Sequence, residues 1–372
     1  MKPLRVGVVG AGHLGRIHAQ KLAGMAGVAL VGVADPIEAH RNAVAQAHGI
    51  QAFSEHRRLG RLVDAAVVAT PTRSHHAVAL DLMNAGVHLL VEKPLALTEA
   101  ECAELVDAAR RRALVLQVGH VERFNPALGA VLPHVGRPKY IEAIRQGGFT
   151  FRSTDIGAVL DLMIHDIDVV LALVQSPLRR VEALGLSLFG RHEDVVNARL
   201  SFANGCVAAL SASRVSHTAA RTMRIWSRRG FAAIDFAARS ATFVRPSETL
   251  LRRELDAETL SSDEKHRLKD SLLTEHLPLE KLVVEPCDAI SAELTDFTDS
   301  IRAGRAPRVT GEQGRDAVAV AARILAAMAT HSWEGTADGP IGPLAQPAAA
   351  VIQAPHWGFK KAGNPFKHRE AG

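Results

Sequence analysis

The sequence predicts an α/β protein: an N-terminal Rossmann domain with a doubly wound parallel sheet, then an α+β domain with a large, mostly antiparallel open sheet. Three observations predict this fold. Strand-like and helical segments alternate up to about residue 120, which is typical of a parallel sheet. A glycine-rich turn follows the first strand. Beyond residue 125, strand-like segments follow one another with short turns, which favours antiparallel pairing.

The first half contains five apolar segments that we interpret as strands buried on both faces of a sheet. Helical segments separate them. Thr98 and Glu101 form a capping box, which predicts the start of a helix that runs to about Arg112. The predicted strands are Leu4–Val9, Val28–Val33, Ala65–Thr70, Val87–Val91 and Leu114–Val118.

The second half begins with a strand at Lys139–Arg145 and a long apolar helix from Asp155 to about Val174. Asn204-Gly205 between two apolar runs predicts a hairpin. Residues 246–285 are charged, and we expect an irregular excursion with some helix there. The further strands are Val181–Phe189, Val195–Phe202, Val207–Ser213, Thr222–Ser227, Phe231–Phe236 and Ala241–Val244, and the closing helices are Ser291–Arg302 and Asp316–Thr330.

These elements divide the 372 residues into three regions. We expect a first domain at residues 1–124 and a second domain at residues 125–338. Residues 339–372 are rich in proline, alanine, glycine and lysine, so we expect a poorly ordered tail.

Composition argues against several classes of protein. No apolar run reaches the roughly 18 residues of a membrane span, and the N-terminal apolar run ends in glycines, so we expect a cytoplasmic protein without a membrane partner. The formal net charge is +5, but aromatic residues make up 4% and no nucleic-acid-binding motif occurs, so no nucleic acid partner is expected. Cys102, Cys206 and Cys287 lie far apart and predict no metal site.

The glycine-rich turn opens the first predicted helix. Its first glycine permits the tight turn, its second lets the backbone approach a pyrophosphate, and its third allows close packing of helix on strand. The free N–H groups at the helix N-terminus then face the phosphates. We therefore assign dinucleotide binding to Gly10, Gly12, His13, Leu14 and Gly15.

Asp35 ends the second strand, 20 residues after Gly15. A carboxylate at this place accepts hydrogen bonds from the ribose hydroxyls of NAD and repels the 2′-phosphate of NADP. Arg41 lies close by in the sequence, and an arginine accommodates that phosphate in NADP enzymes. The sequence favours NAD, with NADP as the alternative.

Five motifs in sequence resemble those of the glucose–fructose oxidoreductase/inositol dehydrogenase (Gfo/Idh/MocA) family of NAD(P)-dependent sugar oxidoreductases. Together they are specific, although each alone is not, and the resemblance covers about residues 4–330. It implies an enzyme that acts on the hydroxyl of a sugar. The motifs are the glycine-rich turn, Ala69–His75, Glu92–Pro94, Gly119–Pro126 and Asp161–Asp168.

The resemblance places Lys93 beside the substrate hydroxyl and the nicotinamide. Asp161 and His165 are four residues apart, so they share one face of an apolar helix and must be satisfied or line a cleft. We expect hydride transfer from a carbinol carbon to the nicotinamide, with His165 as general base. Lys93 would polarise the oxygen and relay the proton, and Asp161 would orient the substrate. Whether Lys93 or His165 takes the proton first stays open.

The resemblance also implies binding residues, although His120 departs from the apolar residue that the family commonly has at its position. Arg145 and Arg152 flank Gly147-Gly148, and we consider them candidates for binding a diphosphate. The cofactor residues it implies are Thr70, Pro71, Thr72, His75, Glu92 and Lys93. The predicted substrate residues are Lys93, Arg123, Asn125, Arg145, Arg152, Asp161 and His165.

Three functions are compatible with these motifs. Residues 118–126 and 155–168 look closer to the UDP-N-acetylglucosamine 3-dehydrogenase branch of the family, which implies oxidation of the C3 hydroxyl of a UDP-sugar. The alternatives are an inositol, polyol or free-aldose dehydrogenase, and a non-catalytic NAD-binding regulator. The intact set of Lys93, Asp161 and His165 argues against the regulator. The resemblance also implies that residues 1–124 are an NAD-binding domain and that residues 125–338 are a substrate-binding and oligomerisation domain. It further implies a homodimer or homotetramer.

Overall fold

The structure is a computed structural model that describes residues 2–151, 154–333 and 339–344. Its N-terminal part alternates strands and helices. The elements are β1 (Leu4–Val9), α1 (His13–Ala23), β2 (Val28–Ala34), α2 (Glu38–His48), β3 (Gln51–Phe53), α3 (His56–Gly60), β4 (Ala65–Val68), α4 (His75–Asn84), β5 (His88–Glu92), α5 (Glu99–Arg111) and β6 (Leu116–Gly119).

The six strands form one parallel sheet with the order β3-β2-β1-β4-β5-β6. The order reverses between β1 and β4, and ligands of such sheets bind at this switch point, outside the carboxyl ends of the strands. Strands β1, β4 and β5 are almost wholly apolar and buried because helices cover both faces. The predicted Rossmann fold is confirmed, with β3 as a short additional edge strand.

The second part builds an eight-stranded sheet. Its elements are α6 (Pro126–Val135), β7 (Pro138–Gln146), a π-helical turn (Val159–Met163) that continues as α7 (Ile164–Val174), β8 (Leu178–Leu186), β9 (Val195–Phe202), β10 (Val207–Ser213), β11 (Ala220–Ser227), β12 (Gly230–Asp235), β13 (Ser240–Val244), α8 (Glu248–Leu251), α9 (Ser262–Ser271), a second π-helical turn (Leu272–His276), β14 (Leu279–Lys281), α10 (Ala289–Ala303) and α11 (Gly311–Ala329).

This sheet has the order β14-β13-β12-β11-β7-β10-β9-β8, and only β7 and β10 pair in parallel. Alternate residues along the strands are buried beneath α6, α7 and α11, as Ile141, Ala143, Met223 and Ile225 show. The opposite face is partly exposed and carries the neighbouring rings of Tyr140, Trp226 and Phe231. The predicted, mostly antiparallel open sheet is confirmed.

The two closing helices return to the N-terminal domain. Leu294 and Phe297 of α10 are fully buried in the same apolar cluster as residues of β1, β2 and α1. On α11, Gly311 and Gly314 lie so close to β6 that an added Cβ would come within 2.6 Å of Leu116 and 2.5 Å of Val118. Residues 289–329, which sequence boundaries assign to the second domain, therefore pack against the first as well.

Some elements differ from their predicted bounds. The long helix expected from Asp155 begins at Ala158 and Val159, where the backbone N–H of Val159 donates to the carboxylate of Glu193 over 2.9 Å. Helix α11 begins earlier than predicted, because Thr310 and Gln313 form a capping box. Residues 339–344, the start of the expected tail, contact the chain: Gly342 donates to the carbonyl of His331. Residues 345–372 lie outside the described residues.

Among the described residues, no helix combines the length and the apolar character needed to cross a membrane.

Replacing Asp194 by alanine tests the buried ion pair between Asp194, which precedes β9, and Arg214, which follows β10. The Asp194 carboxylate accepts from Arg214 over 2.6 Å, and both side chains are buried. Removing one partner leaves a buried charge without its counterion, so we expect a loss of about 3–5 kcal/mol in the free energy of unfolding. Urea denaturation followed by circular dichroism measures it.

The matched control is Glu182→Ala, which removes an exposed pair with Arg180. We expect that change to stay within about 0.5 kcal/mol. If the two substitutions lowered the free energy of unfolding equally, the buried pair would stabilise the fold no more than the exposed pair, contrary to this prediction.

Candidate active site at the carboxyl edge of the parallel sheet

The turn after β1 accepts only glycine at two places. Gly10 has a φ of 97°, and an added Cβ would come within 2.4 Å of the carbonyl oxygen of Ala69. A Cβ on Gly15 would come within 1.8 Å of the carbonyl oxygen of Gly10. Among the described residues, a Cβ on Gly12 would meet no atom within 4 Å, and no side chain caps the start of α1. The turn thus leaves open space and free N–H groups where a pyrophosphate would lie.

Asp35 is buried at the end of β2. One carboxylate oxygen accepts from the backbone N–H of Ala11 over 2.7 Å, and the other from that of Ile37 over 2.8 Å. Arg41 donates to the carbonyl of Pro36 over 3.1 Å, so its guanidinium lies beside the same loop. Asp35 therefore fixes the glycine-rich turn and presents negative charge to the cavity that it lines with Gly10, Gly12, Thr70 and Pro71.

Thr70, Pro71, Thr72 and His75 follow β4, and all four line a cleft with Glu92 and Lys93. The His75 ring lies between two carbonyl oxygens, 2.9 Å from that of Thr70 and 2.8 Å from that of Pro94. Burial lowers the pKa of His75, while the two carbonyl oxygens act in the opposite direction. A neutral ring has one N–H, so it donates to only one of these two carbonyl oxygens at a time.

Lys93 and Asp161 meet across the two domains. The ammonium Nζ of Lys93 donates to Oδ1 of Asp161 over 3.0 Å and to its backbone carbonyl over 2.7 Å. Asp161 lies within the π-helical turn that precedes α7, and such turns are rare and often mark functional sites. The pair places a fixed cation at the carboxyl end of β5, on the wall of the cleft.

His165 lies one helical turn after Asp161 and is only partly exposed. Its Nδ1 is buried and has no hydrogen-bond partner among the described residues. Burial, and then the positive charge of Lys93, lower the pKa of His165 well below 6.5. The imidazole is consequently neutral near pH 7 and free to accept a proton.

His120 is a further imidazole at this site, at the carboxyl end of β6. Its ring meets the ring of His165 edge to face, with centroids 6.3 Å apart. Both of its nitrogens are buried without a partner among the described residues, and burial lowers its pKa. Its position directly after β6, which pairs with the strand that precedes Lys93, is the sequence signal that could have indicated it.

Glu92 is held from behind by a residue that the motifs did not indicate. His18 of α1 lies 2.7 Å from Oε1 of Glu92, and Oε2 accepts from the backbone N–H of Lys93 over 3.2 Å. Burial raises the pKa of Glu92, but the hydrogen bond to His18 and the nearby positive charges, that of Lys93 among them, together outweigh it and lower the pKa. Glu92 therefore lines the cleft as a fixed carboxylate.

The structure separates the predicted substrate residues into two groups. Lys93, Asp161 and His165 come together, whereas Arg145 is buried and uses all three guanidinium nitrogens on carboxylates: Nε and one terminal nitrogen donate to Asp166, and the other donates to Glu122 over 2.9 Å. These contacts give Arg145 a structural role, and none supports the diphosphate contact expected from sequence.

Arg123 and Asn125 also lie in the junction between the domains. Arg123 donates to Asp168 over 3.3 Å, and Asn125 donates to Glu122 and to the carbonyl of Phe236. Both side chains hold the start of the second domain in place. Arg152 lies outside the described residues.

The cleft can remove a proton from a hydroxyl group. Lys93, which lines it, offers a cation that can polarise oxygen, and Asp161 and His165 beside Lys93 offer a carboxylate and a neutral imidazole. Within residues 2–151, 154–333 and 339–344, no cluster of three or more histidine, cysteine or carboxylate side chains is arranged to hold a metal ion.

Comparison with known proteins identifies the family. Residues 4–120 match the model of the oxidoreductase family with an NAD-binding Rossmann fold (GFO_IDH_MocA), and residues 134–233 match the GFO/IDH/MocA C-terminal domain. The chain is 37% identical over 326 residues to UDP-N-acetylglucosamine 3-dehydrogenase of Acidithiobacillus ferrooxidans, covering 87% of this chain and 97% of that protein. It is 29% identical to scyllo-inositol 2-dehydrogenase (NAD⁺) of Bacillus subtilis, over 57% of this chain and 68% of that protein.

Solved structures agree with this assignment. The A. ferrooxidans enzyme GnnA superposes with a TM-score of 0.76 at 35% identity, covering 88% of this chain and 98% of that chain. Levoglucosan dehydrogenase in complex with NADH shares the fold, with a TM-score of 0.74 at 19% identity over 87% of this chain and 96% of that one. The chain therefore belongs to the GFO/IDH/MocA family and is an oxidoreductase that acts on CH–OH groups.

Proposed function

We propose that this protein is an NAD-dependent dehydrogenase that oxidises the C3 hydroxyl of UDP-N-acetylglucosamine to the 3-keto sugar nucleotide. The observation that carries the proposal is the Lys93–Asp161 pair beside a neutral His165, in a chain that matches 97% of the A. ferrooxidans UDP-N-acetylglucosamine 3-dehydrogenase. The protein named scyllo-inositol 2-dehydrogenase is matched over a smaller share.

The proposed chemistry follows from the contacts in the cleft. NAD, when bound, supplies the hydride acceptor. Lys93, fixed by Asp161, polarises the substrate oxygen. His165, which its lowered pKa keeps unprotonated, then takes up the hydroxyl proton. Asp161 holds the lysine and orients the hydroxyl. His165 rather than Lys93 is the proton acceptor in this proposal.

We also infer that the protein forms a homodimer or homotetramer in the cytoplasm. The open face of the second sheet supports the oligomer, because the rings of Tyr140, Trp226 and Phe231 lie next to one another and partly exposed there. Cys102 and Cys206 are buried free thiols, which fits a reducing compartment.

Incubation with NAD and UDP-N-acetylglucosamine tests the substrate. We expect a product that is lighter by two hydrogen atoms, detected by mass spectrometry, with a keto acid added in case bound NADH must be recycled. myo-Inositol and free glucose are the comparison substrates. If either of them reduces NAD rapidly and no UDP-sugar is oxidised, the proposal is wrong and the protein is a polyol or aldose dehydrogenase. Inactivity on all of them would favour a regulator.

NAD is the proposed cofactor because the Asp35 carboxylate faces the cavity where a 2′-phosphate would lie. We expect a lower Kd for NADH than for NADPH in a fluorescence titration. Asp35→Ser should narrow that difference, because it removes the repulsion of the phosphate. Arg41→Ala is the control, and it should not improve NADPH binding. A wild-type preference for NADPH would contradict the assignment.

His165→Ala should lower kcat by roughly 10²–10⁴-fold, the usual contribution of a positioned base, while NADH still binds. In the wild type, the neutral base persists as the pH falls through 6.5, because the pKa of His165 lies well below that value. The decrease in kcat at acidic pH should therefore be centred below pH 6.5. A fall centred at or above pH 6.5, or near-normal turnover of the variant, would remove His165 from the mechanism.

A further inference from the structure

Three phenylalanines form a partly exposed cluster in the second domain. The ring centroids of Phe149 and Phe151 are 5.0 Å apart, and those of Phe149 and Phe189 are 4.7 Å apart. Phe149 is partly buried between the other two, which are 78% (Phe151) and 60% (Phe189) exposed. We call these three rings the aromatic platform.

The backbone of the aromatic platform is strained at one residue. Phe151 has a φ of 55°, a left-handed conformation that is a genuine outlier for a bulky side chain. Backbone strain of this kind persists where the surroundings impose it and clusters at ligand-binding sites. Adjacent exposed rings likewise mark a surface that binds something.

Buried charges hold the platform in place. The Arg214 guanidinium lies 4.9 Å from the centre of the Phe149 ring and donates to Asp194. Asp194 in turn accepts from the backbone N–H groups of Leu188 and Phe189. The rings therefore project from a fixed base, which lowers the entropy lost when a flat ligand stacks on them.

The same contacts join the platform to the active site. Arg214 also donates to the carbonyl of Ile156 over 2.9 Å, and Ile156 lines the cleft together with Lys93. Glu193, the neighbour of Asp194, accepts from the N–H of Val159 at the start of the π-helical turn that carries Asp161. A ligand that reacts at Lys93 and extends past Ile156 would reach the platform.

We propose that the aromatic platform stacks the nucleobase of the sugar nucleotide, so that uracil lies against Phe151 and Phe189 while the sugar lies at Lys93. The proposal rests on the proposed function, because it takes a UDP-sugar as the substrate. A nucleobase is a flat, uncharged ring that stacks on exposed aromatic side chains. The aromatic platform therefore suits the nucleobase of the substrate, and the charged cleft suits the sugar that carries the reacting hydroxyl group.

Titration calorimetry with UMP, on the protein saturated with NAD, tests the platform without turnover. Phe151→Ala should raise the Kd of UMP by roughly 5- to 100-fold, the range for losing one base–aromatic contact. Phe151→Leu keeps apolar area but loses the ring, and it should also weaken binding. With UDP-N-acetylglucosamine, KM should rise while kcat stays near the wild-type value, because stacking acts equally on ground and transition states.

Leu132→Ala is the matched control, since Leu132 is an exposed apolar side chain on α6 at 50% exposure, and it should leave the Kd of UMP unchanged. An unchanged Kd in Phe151→Ala would overturn the platform even if UDP-sugars are oxidised. If Phe151→Ala forms a smaller assembly than the wild type in sedimentation velocity and loses UMP binding together with it, the three rings form an interface with a second copy. That outcome would overturn the proposal. UMP binding through Phe151 in a protein that oxidises no UDP-sugar would support the platform and refute the proposed function.

Discussion

The ion pair of Lys93 and Asp161 is the contact on which the active site depends. Its two residues are 68 positions apart and belong to different domains. Without this contact, the side chain of Lys93 would sample many conformations, because it has four rotatable bonds. Held by both the carboxylate and the carbonyl of Asp161, the ammonium stays on the wall of the cleft. Burial lowers the pKa of the nearby His165, and the charge of Lys93 lowers it further. The contact thus joins the two domains and adds to the effect of burial on His165.

Keeping that contact requires the helix of Asp161 to be fixed relative to the first domain. Arg145 binds Asp166, and Arg123 binds Asp168, both through buried carboxylates on α7. Each arginine comes from outside the helix, Arg123 from the turn after β6 and Arg145 from β7. The cost of burying two charges offsets most of their attraction, so these pairs fix a position more than they add net stability. Arg123 and Arg145, which the sequence predicted as substrate residues, thus bind carboxylates of the helix that follows Asp161.

Local sequence signals predicted most of the fold and the centre of the site. The glycine-rich turn, Asp35 and the hairpin at Asn204-Gly205 need only neighbouring residues, and the spacing of Asp161 and His165 needs only one helical turn. Contacts between distant segments were not predictable from sequence alone. The hydrogen bond of His18 to Glu92 and the packing of α10 and α11 on the first domain depend on which elements meet in space.

Two further differences have physical causes of the same kind. The π-helical turn arises where Glu193, from a loop beyond β8, takes up the N–H of Val159, which no helical periodicity reveals. Arg145 looked like an anion-binding residue because arginine binds phosphates and carboxylates with the same donors. Its carboxylate partners, Asp166 and Glu122, lie 21 and 23 positions away in the sequence and become visible only in the fold.

In the proposed mechanism, the electrostatics of the cleft also bear on how His165, the proposed base, would act repeatedly beside Lys93. Lys93 and Asp161 compensate each other, and His165 and His120 are both neutral, so binding a substrate hydroxyl requires no change of charge. Once His165 takes a proton, its imidazolium lies buried beside the cation of Lys93, and burial and repulsion both disfavour that state. The proton is therefore released readily, or returned when the reaction runs towards the alcohol. A base whose protonated form is unstable serves both directions of a reversible hydride transfer, provided that its neutral form is the one that meets the hydroxyl.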